Sequence, residues 1–171
     1  PAVIVSFLDG AWPREPTPDH CAELGNALAR LHMAGQSFAM TRPNDMGPAS
    51  WRQLFNQCVD RDDAVTSRIT DALETIERQW PKDLPSGVIH ADLFPDNVFF
   101  QDDKLTGVLD FYFACNDFLA FDLAIAINGW CFDHDNKFDA ARSRRLISAY
   151  QDVRPLTGAE CDALPILCRG A

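Results

Sequence analysis

The chain has 171 residues, of which 47% are hydrophobic and 23% charged, so it can bury a core and its composition argues against disorder. Its 25 acidic and 15 basic residues give a net charge of −10, without a dense basic cluster, which argues against nucleic acid or an anionic membrane as partner. No apolar run approaches the roughly 20 residues of a membrane span. The length suits one substantial domain or two small ones.

Apolar periodicity and cap signals predict a mostly helical α+β fold with a small sheet element. Thr17 and Pro18 are typical of a helix start, Thr157 with Glu160 forms a capping box, and the run 118–132 is apolar nearly all round, which predicts a buried helix. In chain order we expect a strand over 2–8, a helix from Pro18 that stops at Gly35, a loop over 36–49, a helical region over about 49–80 with a candidate interruption at 60–63, strands over 87–90, 97–101 and 105–109, the buried helix, and helices over 139–152 and from 157 onward.

The start of the chain and its cysteines bear on location. The sequence starts PAVIVSFL, without an initiator Met or a basic leader, so we expect no signal peptide and a position inside a longer polypeptide. None of the six cysteines forms a C-x-x-C pair or stands at zinc-ligand spacing. Most fall in apolar or helical patterns, so we expect reduced thiols in a cytoplasmic protein, although an even number would also allow disulfides.

A polar segment, residues 90–97, separates two of the predicted strands in VIHADLFPDNVFF. Burying ionised groups unpaired is costly, so this segment faces either solvent or a ligand. The following hairpin returns the chain on itself, which brings Asn97 at its start near Asp110 at its end. A carboxylate and an amide oxygen are hard ligands that suit Mg²⁺. Asp92 would then lie beside the metal, placed to accept a proton from an attacking hydroxyl.

The same residues also have structural interpretations. Asp92, Asp96 and Asn97 could build a tight turn around Pro95, because Asp and Asn side chains bond to turn backbones. Asp110 could cap the segment that follows it. His90 alone is more typical of a hydrogen-bonded scaffold residue than of a proton carrier.

The chain contains the motifs H-A-D-L-F-P-D-N-V at 90–98, G-V-L-D-F-Y at 107–112 and F-D-L-A at 121–124. These motifs resemble the aminoglycoside phosphotransferase and choline kinase superfamily, which has a protein-kinase-like fold. Longer stretches are similar to a subgroup of bacterial homoserine kinases: D-F-Y-F-A-C-x-D, V-I-V-S-F-L-D-G-x-W-P-R, and H-C-A-E-L-G-N-A-L-A-R-L-H-M-A-G at 20–35. The resemblance covers about residues 1–156.

The resemblance implies roles for individual residues, with ATP and Mg²⁺ as cofactors. Asp122 in F-D-L-A also has a plain interpretation as a helix-cap carboxylate. The implied roles are Asp92 as catalytic base, His90 as scaffold of the catalytic loop, Asn97 and Asp110 as metal ligands, Asp122 as a buried brace of that loop, and the backbone of Ser6, Phe7 and Leu8 as contacts of the adenine.

The resemblance also implies a domain division. The family has an N-terminal lobe with a phosphate-binding lysine, and none of the three lysines here stands in a matching context. We therefore expect residues 1–10 to be the hinge strand and linker from an N-terminal lobe that the chain lacks. Residues 11–171 would be a helical C-terminal lobe that is cut short. We expect this piece to be inactive alone.

Homoserine, phosphorylated for threonine biosynthesis, is the acceptor that the resemblance favours. Residues after Asp110 are candidates to line its pocket, and each could instead be structural. Aminoglycoside, choline or ethanolamine acceptors stay open, and so does a non-catalytic, pseudokinase-type binding module. The candidate pocket residues are Tyr112, Asn116, Asp117 and Trp130.

Overall fold

The structure is a computed structural model that describes residues 6–58 and 64–171. Among these residues it has six α-helices: α1 (Pro18–Ala34), α2 (Pro48–Cys58), α3 (Ala64–Gln79), α4 (Leu119–Trp130), α5 (Ala140–Gln151) and α6 (Gly158–Gly170). Its four strands are β1 (Ser86–Ile89), β2 (Val98–Gln101), β3 (Lys104–Val108) and β4 (Cys115–Phe118). The predicted α+β, mostly helical class is confirmed. None of the described helices is both long and apolar enough to cross a membrane.

The predicted helix starts are confirmed by their caps. The Thr17 hydroxyl accepts a hydrogen bond from the His20 N–H at 3.1 Å, and α1 ends at its cap residue Gly35. The Thr157 hydroxyl accepts from the Glu160 N–H at 3.2 Å, while Glu160 accepts from the Thr157 N–H at 2.9 Å. These bonds satisfy backbone N–H groups that the first helical turn leaves unpaired.

Strands β2 and β3 form the predicted antiparallel hairpin. Its two turn residues, Asp102 and Asp103, have φ angles of 49° and 60°. This left-handed pair is what a two-residue hairpin turn requires, and Asp tolerates it better than most residues. The turn therefore follows directly from local sequence.

A second two-stranded sheet, β1 with β4, was not predicted. The two strands pair antiparallel, with Ile89 opposite Cys115 and Ser86 opposite Phe118. The sequence Cys-Asn-Asp-Phe of β4 lacks alternation of apolar and polar residues, and only Cys115 is buried. Its strand character comes from pairing with a distant segment, which no local pattern shows.

The helical region predicted over 49–80 consists of α2 and α3. The candidate interruption at 60–63 lies outside the described residues. The strand predicted over 2–8 lies mostly outside them too, and the described Ser6 to Leu8 adopt no helix or strand.

Helix α4 lies between two clusters of buried side chains, which explains its apolar character on nearly all sides. Leu123 and Trp130 belong to a cluster with α1 and α5. Ala120 and Ala124 belong to a cluster with β1, β4 and α6. The predicted buried helix is thus confirmed, and Asp122 on it is fully buried.

The cysteines whose side chains the structure describes are free thiols. Cys21, Cys115 and Cys131 are buried, as expected of small hydrophobic side chains, whereas Cys161 is exposed. Burial raises the pKa of Cys115 to about 11. The Cys115 thiol is therefore inert at neutral pH.

Candidate active site

Residues 90–97, which the sequence predicts to be catalytic and which we call the catalytic loop, connect β1 of one sheet to β2 of the other. The loop contains a backbone strain, because Ala91 has a φ of 64° although it carries a side chain. A left-handed conformation in such a residue persists only where surrounding contacts hold it. The contacts that hold this loop come from Asp122, His90 and Trp130.

Asp122 on α4 binds the start of the loop. Its Oδ2 accepts from the His90 N–H at 2.7 Å, and its Oδ1 accepts from the Ala91 N–H at 2.9 Å. Oδ2 also accepts from Nε2 of His32 at 3.0 Å. A fully buried carboxylate thus pairs with three donors, and it fixes the strained Ala91 backbone that precedes Asp92.

His90 uses both ring nitrogens on backbone groups. Its Nε2 donates to the Leu109 carbonyl at 2.8 Å, and its Nδ1 accepts from the Asp92 N–H at 3.3 Å. The ring is fully buried. This arrangement suits a scaffold residue and leaves no nitrogen to move a substrate proton.

Asn97 contacts Asp92 directly. Its Nδ2 donates to the Asp92 carbonyl at 2.8 Å and to the Asp92 carboxylate Oδ2 at 3.0 Å. Since both amide hydrogens are used, the side-chain group left for a ligand is the carbonyl oxygen. That oxygen is a hard ligand of the kind that Mg²⁺ takes.

Asp110 follows a backbone position that is anchored on both sides. The Leu109 N–H donates to the Asn97 carbonyl at 2.8 Å, and the Leu109 carbonyl accepts from His90. Asp110 itself is exposed and left-handed, with a φ of 55°, and its Oδ1 accepts from the Tyr112 N–H at 3.2 Å. The structure therefore brings Asp92, Asn97 and the backbone bearing Asp110 together, as the hairpin argument predicted.

A buried polar chain, which the sequence did not reveal, extends from Asp122 to α6. Nδ1 of His32 lies 2.7 Å from the Tyr150 hydroxyl, which accepts from Arg154 at 3.1 Å; Arg154 also donates to Glu160 at 2.8 Å. The chain thus runs from Asp122 through His32, Tyr150 and Arg154 to Glu160. The feature of the sequence that could have indicated this chain is His32, which lies among the buried residues of α1.

The titration of Tyr150 gives a test of this chain. Burial raises the pKa of Tyr150 to about 12 from 10.0, with the nearby Arg154 opposing that shift. The unfolded state therefore loses the phenol proton first, and stability falls as the pH rises from 10 to 12. In urea unfolding at pH 9 to 12, we expect the full-length wild type to lose about 1 to 3 kcal/mol more than Tyr150→Phe over this range. Equal losses in the two proteins would contradict the burial of this hydroxyl.

Trp130 was predicted to line the acceptor pocket, and the structure places it elsewhere. Its side chain is fully buried, and its Nε1 donates to the Leu93 carbonyl at 2.8 Å. The neighbouring Gly129 lets the Phe94 ring approach α4, since a Cβ there would lie 2.7 Å from a ring carbon. A buried indole N–H needs a hydrogen-bond partner, and Trp130 finds it in the backbone of the catalytic loop. Trp130 therefore supports that loop.

Asn116 and Asp117, also predicted for the pocket, hold a neighbouring loop. Asn116 Oδ1 accepts from the Arg42 N–H at 2.9 Å, and Asp117 Oδ2 accepts from Asn44 Nδ2 at 2.7 Å. Tyr112 is 71% exposed and lies under the Arg42 guanidinium, with 6.0 Å from Cζ to the ring centroid. These residues thus position Arg42 and Asn44, neither of which the sequence singled out.

A cavity of about 160 Å³ lies beside the catalytic loop. It is a candidate binding site for an acceptor, so we call it the acceptor cavity. Ala91 and Phe94 of that loop form one wall, and Arg42 and Asp45 contribute charges. The sequence did not reveal this cavity, because its walls come from segments far apart along the chain. Its lining residues are Arg42, Asn44, Asp45, Met46, Ala91, Phe94, Phe113, Phe121, Ile125, Gly170 and Ala171.

The segment predicted to contact adenine, Ser6 to Leu8, runs beside the hairpin. Phe7 is 90% exposed, and Leu8 lies over Gly107 of β3, where a Cβ would collide with its side chain. Just after it, Ala11 and Phe100 exchange backbone hydrogen bonds of 3.0 and 2.9 Å. The segment is thus tied to the hairpin that begins after Asn97.

Proteins similar to this chain include two bacterial homoserine kinases. The chain is 54% identical over 175 residues to the homoserine kinase of Rhodospirillum rubrum and 54% identical over 175 residues to that of Xanthobacter autotrophicus. Each match covers 100% of this chain and 54% of the relative. The chain therefore spans about half the length of these curated relatives.

The fold is similar to that of an aminoglycoside-3′-phosphotransferase of type VIII, with a TM-score of 0.69 and 22% sequence identity. The match covers 97% of this chain and 67% of that one, and it confirms the predicted kinase-like fold. A family model described as "Phosphotransferase enzyme family" matches residues 1–156. This chain belongs to the phosphotransferase enzyme family.

Proposed function

We propose that the protein containing this chain is a homoserine kinase, which transfers the γ-phosphoryl group of ATP to the hydroxyl of homoserine. The names of relatives that are 54% identical to the chain support this choice of acceptor. Since the reaction consumes ATP, we place it in the cytoplasm. The chain would supply the base, the metal ligands and the backbone contacts of the adenine.

One observation carries the proposal, namely the contact between Asn97 and Asp92 next to the backbone of Asp110. The side-chain amide of Asn97 donates to the Asp92 carboxylate at 3.0 Å. The backbone carbonyl of Asn97 accepts from the Leu109 N–H at 2.8 Å. A base and two oxygen ligands on one small surface suit phosphoryl transfer, whereas a binding module would need no base.

The residues present fit a bound Mg²⁺. The described residues contain no cluster of three His, Cys, Asp or Glu side chains suited to a metal. Mg²⁺ needs fewer protein ligands, because it takes the others from phosphates and water, so Asn97 Oδ1 and the Asp110 carboxylate would hold it. When bound, the ion neutralises phosphate charge.

Asp92 would act as the base of the reaction. Its carboxylate accepts the hydroxyl proton of the acceptor as that oxygen forms a bond to the γ-phosphorus, and the bond to the ADP oxygen breaks. Asn97 donates to Oδ2, so Oδ1 would be the oxygen that takes the proton. Backbone groups of Ser6 to Leu8 would contact the adenine.

A substrate panel tests the proposal. The full-length protein is assayed with ATP and Mg²⁺ against homoserine, serine, choline, ethanolamine and kanamycin, with ADP release and phosphorylated product both measured. We expect kcat/KM for homoserine to exceed the others by at least about tenfold, the value of one good polar contact. A higher kcat/KM for choline, ethanolamine or kanamycin would overturn the assignment of homoserine as the acceptor. Absence of turnover with every alcohol would favour a non-catalytic binding module.

A further inference from the structure

The loop over residues 42–46 is held rigidly opposite the catalytic loop. Arg42 and Asn116 bond through the Arg42 carbonyl, which accepts from the Asn116 N–H at 2.7 Å, and through the Arg42 N–H described above. The Met46 N–H donates to Asn44 Oδ1 at 2.9 Å, and the Met46 carbonyl accepts from the Trp51 indole at 2.7 Å. The loop therefore presents its side chains from a fixed backbone.

Two opposite charges on this loop line the acceptor cavity. The Arg42 and Asp45 side chains are 45% and 68% exposed, and their N and O atoms lie 3.3 Å apart. An ion pair this exposed gains little from its own attraction, since water screens both charges. Each group can therefore exchange its partner for a ligand charge at small cost. Arg42 also donates to the Tyr112 carbonyl, which fixes the direction of its guanidinium.

The rest of the cavity is mainly apolar and includes part of the catalytic loop. Ala91 and Phe94, which flank Asp92 closely in sequence, form the wall on the catalytic side. Met46 and Phe113 add apolar surface. A ligand with a charged end at Arg42 and Asp45 could place its other end by the catalytic loop.

We propose that Arg42 binds the α-carboxylate and Asp45 the α-ammonium of an amino-acid acceptor, an inference that rests on the proposed function. A guanidinium forms paired hydrogen bonds with a carboxylate, and a carboxylate accepts from an ammonium. The neighbouring charges of the protein match the neighbouring charges of a zwitterion. Choline lacks the carboxylate, so this pair of residues selects against it.

Two truncated alcohols test the Arg42 contact and the Asp45 contact separately. 3-Aminopropan-1-ol is homoserine without its carboxylate, and 4-hydroxybutanoate is homoserine without its ammonium. In the full-length protein, Arg42→Ala should raise the KM for homoserine roughly 10- to 100-fold with little change in kcat, the signature of a lost binding contact. The same variant should leave kcat/KM for 3-aminopropan-1-ol unchanged. Asp45→Asn should lower kcat/KM for homoserine and for 3-aminopropan-1-ol. It should leave kcat/KM for 4-hydroxybutanoate unchanged.

The controls distinguish recognition from damage to the loop. Arg30→Ala removes an exposed guanidinium on α1 that bonds Asn26, and it should behave like the wild type. Arg42→Lys keeps the charge and loses the planar fork, so its KM should fall between those of the wild type and Arg42→Ala. An unchanged homoserine KM in Arg42→Ala, or equal losses for homoserine and 3-aminopropan-1-ol, would overturn this inference. Neither result touches the proposed function, which fails only if the wild type does not phosphorylate homoserine.

Discussion

The Asp92→Asn variant of the full-length protein is expected to lose about 10²- to 10⁴-fold in kcat, the usual contribution of a positioned general base. An amide at this position cannot accept the hydroxyl proton. It is nearly isosteric, and the hydrogen bond from Asn97 can be retained on the amide oxygen. We therefore expect the KM for homoserine to change little. Steady-state kinetics with saturating ATP and Mg²⁺ measure both parameters.

Asp96→Asn is the matched control for this experiment. Asp96 lies in the same loop and is exposed. Its neutralisation changes the local charge by the same amount, so it reports any general electrostatic effect on the phosphates. A kcat for Asp92→Asn within a few fold of that of Asp96→Asn would rule out Asp92 as the base.

The second large effect is expected on stability, from Asp122→Asn. The carboxylate accepts from the His90 N–H, the Ala91 N–H and His32. An amide nitrogen in place of either oxygen would face a donor with another donor, in a site without solvent. Breaking such a buried pairing costs about 3 to 5 kcal/mol. Urea unfolding of the full-length protein at pH 7 measures the loss.

The control for Asp122→Asn is Asp162→Asn, an equal change of charge at an exposed position on α6. Surface changes of this kind stay within about 0.5 kcal/mol. We expect kcat of Asp122→Asn to fall as well, because the strained Ala91 loses its support next to Asp92. An unfolding free energy equal to that of Asp162→Asn would show that Asp122 does not brace the loop.

Features governed by local chemistry were predictable from the sequence. The helix starts at Thr17 and Thr157 depend on side chains that bond to nearby backbone N–H groups. The hairpin over 98–108 depends on two turn residues and short apolar strands. The hairpin also predicted that Asn97 and the backbone next to Asp110 lie close together, as the hydrogen bond from Leu109 to Asn97 shows.

Features that depend on distant pairing were not predictable. Strand β4 exists because Ile89 and Cys115 pair across more than twenty residues, and its own sequence lacks alternation. Arg42 lines the acceptor cavity, and its backbone is bonded there to Asn116, which is distant in sequence. Trp130 is close in sequence to candidate pocket residues, yet its position on α4 turns its ring under the catalytic loop.

The division of the strands into two separate sheets means that the proposed chemistry is shared between two mechanical units. Asn97 and Asp110 flank one hairpin, so we expect them to move together. Ala91, at the start of the catalytic loop, is instead hydrogen-bonded to Asp122 of α4. Loosening the hairpin would shift both proposed metal ligands relative to Ala91 without separating them from each other. Slow amide-proton exchange in β1 together with fast exchange in β2 would indicate that the hairpin opens independently of β1.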